Sequence, residues 1–297
     1  MTQALIQYIN RETQTLETEQ VYGEKELLFL YHNKFGALLR RIFFNKPWFS
    51  HINAIPKRIW LSKKHITRFA SSFDVNIHEA EKPVGQYQSL DEFFSRRLKQ
   101  DARPVCQEAN AVISPADGRA MYYPIEKDAS LFIKQQRVSI DELLHSAYLT
   151  SMLAGGSAMV VRLAPKDYHR FHFPCDGHIL NTCELPGPLE SVHPIALDGG
   201  ARSFLNKRTV TVLQSPRFGI LVMVEIGALT IGTIHQSYSG ESFQRGDEKG
   251  YFRFGGSTVV LLWGADGPRV DEDIVTNSAN NTETLVKFGT RIGSFKS

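Results

Sequence analysis

The chain has 297 residues, 42% of them hydrophobic, and a formal net charge of +3, enough to bury the core of one large domain or two modest ones. No run approaches eighteen uninterrupted apolar residues, which argues against a membrane-crossing helix, and the opening Met1-Thr-Gln-Ala-Leu-Ile-Gln-Tyr-Ile-Asn10 lacks the basic and apolar regions of a signal peptide. Three cysteines (Cys106, Cys175, Cys183) are odd in number and have no metal-ligand spacing, so neither a disulfide framework nor a metal site is implied, and a reducing, cytosol-facing location is expected.

Residues 1–70 read as helical, beginning with an amphipathic stretch around Val21 to Arg41. From Lys34 to Arg68 the charges are all basic (Lys34, Arg40, Arg41, Lys46, Lys57, Arg58, Lys63, Lys64, Arg68), and Phe35, Leu38, Leu39, Ile42 and Phe43 recur at helical spacing between them. Pro47 and Pro56 cut this stretch into short helices. A basic surface rich in Trp and Phe fits an interfacial membrane segment, where each cation contributes about 1 kcal/mol near an anionic leaflet. A helical layer packed on the core with solvated Lys and Arg fits the same pattern. No nucleic-acid-binding motif is present. Residues 85–105 add a helix with Ser89 as N-cap and Glu92 three residues on. After Pro104, short apolar runs at Ala111–Ser114, Ala158–Leu163, Thr209–Leu213, Gly219–Ile226 and Ser257–Leu262 are separated by Gly, Pro and Asp clusters and read as strands. One helix is expected at Ser139–Ala147, with Leu143 and Leu144 facing inward, and a polar loop from Asn277 to Thr282. The fold class is therefore α+β, a helical layer (1–84) on a β-rich, barrel-like core (85–297).

One segment carries unusual chemistry. Gly250-Tyr-Phe-Arg-Phe-Gly-Gly-Ser-Thr258 runs directly into the apolar strand Val259-Val-Leu-Leu-Trp263. Gly255 and Gly256 lack Cβ and tolerate strained backbone angles. Ser257 Oγ could then attack the carbonyl of Gly256 in an N→O acyl shift. Removal of the Ser257 Cα proton and elimination of the ester would leave a pyruvoyl group, whose carbonyl forms a Schiff base with amines and acts as an electron sink. Taken alone, the tetrapeptide reads first as a Gly-Gly turn feeding a core strand, since glycine pairs are ordinary turn punctuation. Asp117 lies in the turn Pro115-Ala-Asp-Gly118, where an Asx-turn is the plain alternative to a functional acid. His169 and His172 sit in Asp167-Tyr-His-Arg-Phe-His-Phe-Pro174, and at that spacing they share a face only in a helical turn or irregular loop. Asp167 either orients His169 or caps the turn.

Taken together, Leu90-Asp-Glu-Phe-Phe-Ser-Arg-Arg-Leu-Lys99 with Arg103-Pro104, Ser114-Pro-Ala-Asp-Gly118, the segment Asp167–Pro174, Gly227-Ala228 with Gly232-Thr233-Ile234, and Gly-Ser-Thr258 behind Lys249-Gly250 resemble, in order, the motifs of the phosphatidylserine decarboxylases. Two positions depart: Gly255 stands where Leu is commoner, and Gln135 where glycine often follows. The resemblance implies a self-cleaving proenzyme, split between Gly256 and Ser257 into a β chain (1–256) and an α chain (257–297) that stay associated, with pyruvoyl on Ser257. It implies Asp117 as the partner of His172, His172 as the base for cleavage, and His169 as the proton carrier in decarboxylation. The implied partners are phosphatidylserine and an anionic membrane surface, at the cytoplasmic side of the cell membrane as a peripheral protein, with a homodimer as a further option. No metal is implied. Arg162, Arg170, Arg202 and Lys207 are candidates for the substrate phosphate. A serine hydrolase using Ser257, His172 and Asp117 would need a nucleophile elbow, and Ser257 has no Gly two residues after it. A noncatalytic, membrane-binding β-barrel with an inert Gly-Gly turn is the third reading.

Overall fold

The computed structural model describes residues 6–19, 23–44, 60–133, 136–217, 219–229, 233–253 and 257–295. Gly255 and Gly256, with part of the basic aromatic stretch, lie outside these. A ten-stranded sheet forms the frame, in the order Ser242–Phe243, Gly177–Leu185, Arg208–Ser215, Gly219–Gly227, Ser257–Trp263, Ser157–Leu163, Gly118–Pro124, Glu283–Val286, Gln7–Asn10 and Thr15–Thr18. All pairings are antiparallel except that of Gln7–Asn10 with Glu283–Val286.

The central strands are apolar on both faces because both faces are covered. Along Ser257–Trp263, Val259, Leu261 and Trp263 join one hydrophobic cluster, and Val260 and Leu262 join the other. The expected barrel is thus an open sheet buried on two sides. Alternation in a sequence assigns faces, not whether the first and last strands meet, and closure needs matched tilt and stagger. Here the sheet ends on two short strands that do not pair with each other.

Each expected strand is present, with bounds shifted by a few residues, and the helix Ile140–Leu144 is capped by Ser139, with Leu143 and Leu144 buried. The helix expected over 85–105 is confined to Leu90–Phe94, where Ser89 Oγ accepts from the Glu92 N–H. The polar loop expected from Asn277 begins as the end of the helix Glu272–Ala279. The N-terminal region differs most. Gln7–Asn10 and Thr15–Thr18 form a hairpin on the sheet edge, fixed by Arg11, which donates to Asp271 (2.7 Å) and Asp273 (2.6 Å). Helices follow at Glu24–His32 and Lys34–Leu39, and continue into a π-helix at Arg40–Phe44. Asn33 caps the second helix, accepting from the Phe35 N–H at 2.9 Å and the Gly36 N–H at 3.2 Å. Leu30 and Tyr31 dock against Ala196 and Ala201, while Leu28, Phe29, Phe35, Leu38 and Ile42 stay exposed.

A second, three-stranded sheet lies over one face of the first, in the order Ile234–Gln236, Glu248–Phe252 and Arg170–His172. Its Phe171 and Phe252 belong to the same cluster as Val259 and Leu261. Gly250 lets its strands close up, since a Cβ there would sit 2.2 Å from the His235 carbonyl oxygen.

Candidate active site

Register brings the sequence-selected residues to one end of the main sheet. Ser257 opens its strand opposite Leu163 on one side and Gly227 on the other. Asp117 immediately precedes Gly118, the first residue of the strand that flanks Ser157–Leu163. Only glycine fits at 118, because a Cβ would lie 2.6 Å from the Arg162 carbonyl oxygen. The histidine strand is tied to the Asp117 turn by the His172 N–H, which donates to the Pro115 carbonyl at 2.8 Å. It is tied to the approach of Ser257 by the Phe252 N–H, which donates to the His169 carbonyl at 2.9 Å.

Ser257 is 0% exposed, and among the described residues its Oγ has no hydrogen-bond partner. A buried hydroxyl without a partner is costly and uncommon, and such atoms concentrate where chemistry needs them. Strand alternation with Val259 and Leu261 turns Ser257 toward the histidine-bearing sheet. Thr258 faces the other way, into a cavity of about 460 Å³ beside Arg119 and Arg162.

The direct Asp117–His172 hydrogen bond of a triad is not made. The Asp117 carboxylate is instead occupied by Arg103, whose Nε donates at 3.0 and 3.1 Å and whose Nη2 donates at 2.7 Å. It also accepts from the Phe288 N–H at 2.8 Å. The Phe288 ring stacks on His172, with centroids 3.6 Å apart and planes at 13°. Asp117 therefore reaches His172 through residue 288. His172 Nδ1 faces the Gly246 carbonyl at 2.9 Å, and a carbonyl only accepts, so Nδ1 carries the proton. Its Nε2 is left to accept from the Tyr168 hydroxyl at 3.3 Å. Burial lowers its pKa to about 4, against the opposing effect of the Gly246 carbonyl.

His169 is placed differently. It precedes the strand that carries His172, and its ring lies against Phe94 (3.9 Å) instead of Phe288. Nδ1 donates to the Asp167 carbonyl at 3.0 Å, which leaves the lone pair on Nε2. That atom is buried and has no partner among the described residues. Burial lowers the His169 pKa to about 3, and the neighbouring Arg96 and Arg119 oppose its protonation as well. The two readings of Asp167 both hold. Its backbone oxygen orients His169, and its carboxylate caps the turn by accepting from the Ala164 N–H at 2.6 Å while pairing with Arg119.

Arg119 and Arg162 sit directly opposite each other on adjacent strands. Like charges in such a pair repel, and acids separate them. Arg162 Nη2 meets Glu19 at 2.5 Å and Glu283 at 2.6 Å, and Arg119 Nε lies 3.5 Å from Glu19. Burial alone would push the Glu19 carboxyl up, but the two guanidinium groups bring it down to about 2.

Sequence reasoning missed a second buried set. Lys249 and Glu225 have fully buried side chains, with Nζ 3.0 Å from Oε1 and 3.1 Å from Oε2. Gln236 completes the set, accepting from Lys249 at 2.8 Å and donating to Glu225 at 3.0 Å. Burial pushes the Glu225 carboxyl up and the Lys249 ammonium down, and each opposes the shift of the other. Glu225 belongs to the main sheet, two residues before the partner of Ser257, and Gln236 and Lys249 belong to the histidine-bearing sheet. The available signal was one acid inside the apolar run Leu221-Val-Met-Val-Glu-Ile226. A charge there has to be paired.

Comparison with known proteins identifies the family. The sequence profile of the phosphatidylserine decarboxylase family matches residues 90–294. The chain is 40% identical over 290 residues to a phosphatidylserine decarboxylase proenzyme of Chlamydia pneumoniae, covering 97% of this chain and 96% of that one. It is 37% identical over 299 residues to the proenzyme of Fusobacterium nucleatum subsp. nucleatum, covering 98% of each. It is also 37% identical over 295 residues to that of Clostridium botulinum, covering 98% of this chain and all of the other. The open sheet with Ser257 at the start of a central strand is thus the frame of an enzyme, and the chain belongs to the phosphatidylserine decarboxylase family.

Proposed function

We propose that this protein decarboxylates phosphatidylserine to phosphatidylethanolamine, using a pyruvoyl group that it makes from Ser257 by breaking its own 256–257 peptide bond. The observation that carries this reading is the orphaned Ser257 Oγ, 0% exposed at the start of a central strand and directly behind two glycines. In the cleavage, Oγ bonds to the carbonyl carbon of residue 256, its proton passes to the departing amide nitrogen, and the C–N bond breaks to leave an ester. Loss of the Cα proton then expels the residue-256 carboxylate. The resulting enamine takes up water and releases ammonia. When formed, the pyruvoyl carbonyl supplies an electron sink for an amine substrate that is losing CO2.

The chain's own residues divide the proton work. What supports His172 as the base for cleavage is its neutral imidazole, steadied by Phe288 on the Asp117 carboxylate. What supports His169 as the donor to the substrate carbon is an uncommitted Nε2 in a dry setting, where a proton taken up is readily given back. A serine hydrolase would need an accessible serine held by an imidazole, and Ser257 is neither. The two product chains stay together because Val259 to Trp263 are at most 2% exposed, and burying five such side chains stabilises by roughly 7–15 kcal/mol as an upper figure.

Among the described residues no helix is long and apolar enough to cross a membrane. The exposed row of Phe29, Phe35, Leu38 and Ile42 beside Lys34 and Arg41 is the surface we assign to peripheral contact with an anionic membrane at its cytoplasmic side. Intact mass spectrometry tests the central reading. Two fragments split after residue 256 are expected, the smaller with a borohydride-reducible carbonyl and no free amine. Ser257→Ala should remain one uncut chain without decarboxylase activity, and an active Ser257→Ala protein would overturn the reading.

A further inference from the structure

The four cations singled out from the sequence for the substrate phosphate are already occupied. Arg162 pairs with Glu19 and Glu283, Arg170 with Glu248 (2.7 Å), Arg202 with Glu142 (2.9 Å) and Lys207 with Glu184 (3.4 Å). Arg96, which sequence reasoning passed over, is in the opposite condition. It is 4% exposed, and only its Nη2 is bound, donating to the backbone carbonyls of Lys166 (3.0 Å) and Asp167 (3.2 Å). Among the described residues the buried Nε and Nη1 have no partner, and no carboxylate lies within ion-pair distance. Arginine cannot shed its charge in a protein, and a buried cation without a counter-anion costs several kcal/mol. Burial accordingly pulls its guanidinium below the usual value.

Its position is specific. The Asp167 carbonyl that accepts from Arg96 also accepts from His169 Nδ1, so the guanidinium and the imidazole meet at one oxygen. Arg96 also forms part of the wall of a cavity of about 650 Å³ between the Leu90–Phe94 helix and the outer face of the three-stranded sheet. Arg253, four residues ahead of Ser257, lines the same cavity and is held there by Asp91.

We propose that Arg96 is the binding residue for the phosphodiester of the lipid headgroup, holding it beside His169 while the amine reacts at residue 257. The assignment rests on the pyruvoyl reading. A phosphodiester is a permanent anion with two free oxygens, matched to the two open nitrogens of a guanidinium fork. Both nitrogens are closed off from solvent in this uncut chain, and the proposal places the oxyanion on them in the cleaved enzyme. The substrate carboxylate has similar oxyanion chemistry, and the test separates the two.

Wild type, Arg96→Gln and Arg96→Lys are each confirmed as cleaved by intact mass. Borohydride trapping on the 257–297 fragment is then titrated with phosphatidylethanolamine in mixed micelles and with free ethanolamine. Losing a charge-assisted pair should raise the half-trapping concentration of phosphatidylethanolamine about 10- to 100-fold and leave ethanolamine unchanged. KM for phosphatidylserine should rise similarly, with a much smaller change in kcat. Arg96→Lys keeps the charge but loses the fork, and should fall between the other two. It decides the matter if the Gln variant does not fold. Unchanged phosphatidylethanolamine trapping refutes the assignment. So does an equal loss for both amines, which would make Arg96 only a brace for the 166–169 loop. A defect confined to phosphatidylserine would mean that the carboxylate is the anion held, again overturning it. A wild-type chain that stays uncut would instead end the reading of Ser257.

Discussion

Replacing Lys249 by Met, Glu225 by Leu, or both, separates the two roles a buried ion pair can have. In Lys249→Met the Glu225 carboxylate stays 0% exposed with Gln236 as its remaining partner. Removing one member of such a pair costs about 3–5 kcal/mol. At roughly 2–4 °C per kcal/mol for a chain of this size, the expected fall in Tm is about 6–20 °C. Glu225→Leu should cost about as much, because Lys249 would keep only the Gln236 oxygen. In the double variant both desolvation penalties vanish, and the stranded Gln236 costs about 1–3 kcal/mol. By the same conversion its Tm should lie about 2–12 °C below wild type and above that of either single variant. The assay is a thermal scan of all four proteins in the Ser257→Ala background, so that each is one uncut chain. With Ser257 restored, the half-time of cleavage gives a second readout, since the trio spans the sheet of Ser257 and the sheet of the histidines. If the two single effects simply add in the double variant, or each costs under about 1 kcal/mol, Glu225 and Lys249 are not energetically coupled and the reasoning fails.

The histidines set an acid limit on stability. Their folded pKa values, about 3 and about 4, lie below the ordinary 6.5. Between pH 6.5 and about 4 the unfolded chain therefore binds protons that the folded chain does not. Stability present above pH 6.5 should be lost on acidification at about 1.4 kcal/mol per pH unit per histidine, and His169→Gln should flatten that slope in uncut protein. An unchanged slope would argue against a neutral buried His169. Arg103→Gln leaves Asp117 with only the Phe288 N–H, and cleavage should slow about 10- to 100-fold. Cleavage at the wild-type rate would remove Arg103 from the site. Phe35→Ser with Leu38→Ser should weaken flotation with anionic vesicles about 10-fold or more while leaving cleavage intact. Equal flotation would place the membrane surface elsewhere.

The parts of the fold that were legible in the sequence depend on local pattern. Apolar runs such as Gly219–Gly227 and Ser257–Trp263 are strands because their β-branched and large side chains fill a sheet covered on both sides. The N-terminal hairpin was not legible. Gln7–Asn10 is a strand by virtue of pairing with Glu283–Val286, far along the chain, and four residues carry too little periodicity to announce that. At the site, Asp117, His169, His172 and Ser257 were selected from motifs, and strand register together with two backbone hydrogen bonds from the histidine segment brings them to one end of the main sheet. What their partners are was not recoverable. An Asp directly after Pro115-Ala116 says nothing of Arg103 or Phe288, and an Arg96 beside Arg97 gives no sign of which one is buried. Those relations are set by tertiary packing alone.

Glu19 has a practical corollary. It is the counter-ion shared by Arg119 and Arg162, and Arg119 in turn fixes the carboxylate that closes the 164–167 turn ahead of His169. Trimming the first twenty or so residues to obtain better-behaved protein would strip out that acid together with two edge strands. The outcome would be a pair of facing guanidinium groups with one fewer neutralising neighbour and a loosened histidine loop. A shortened version that cuts itself poorly would then report damage done by the trimming, not the natural pace of maturation.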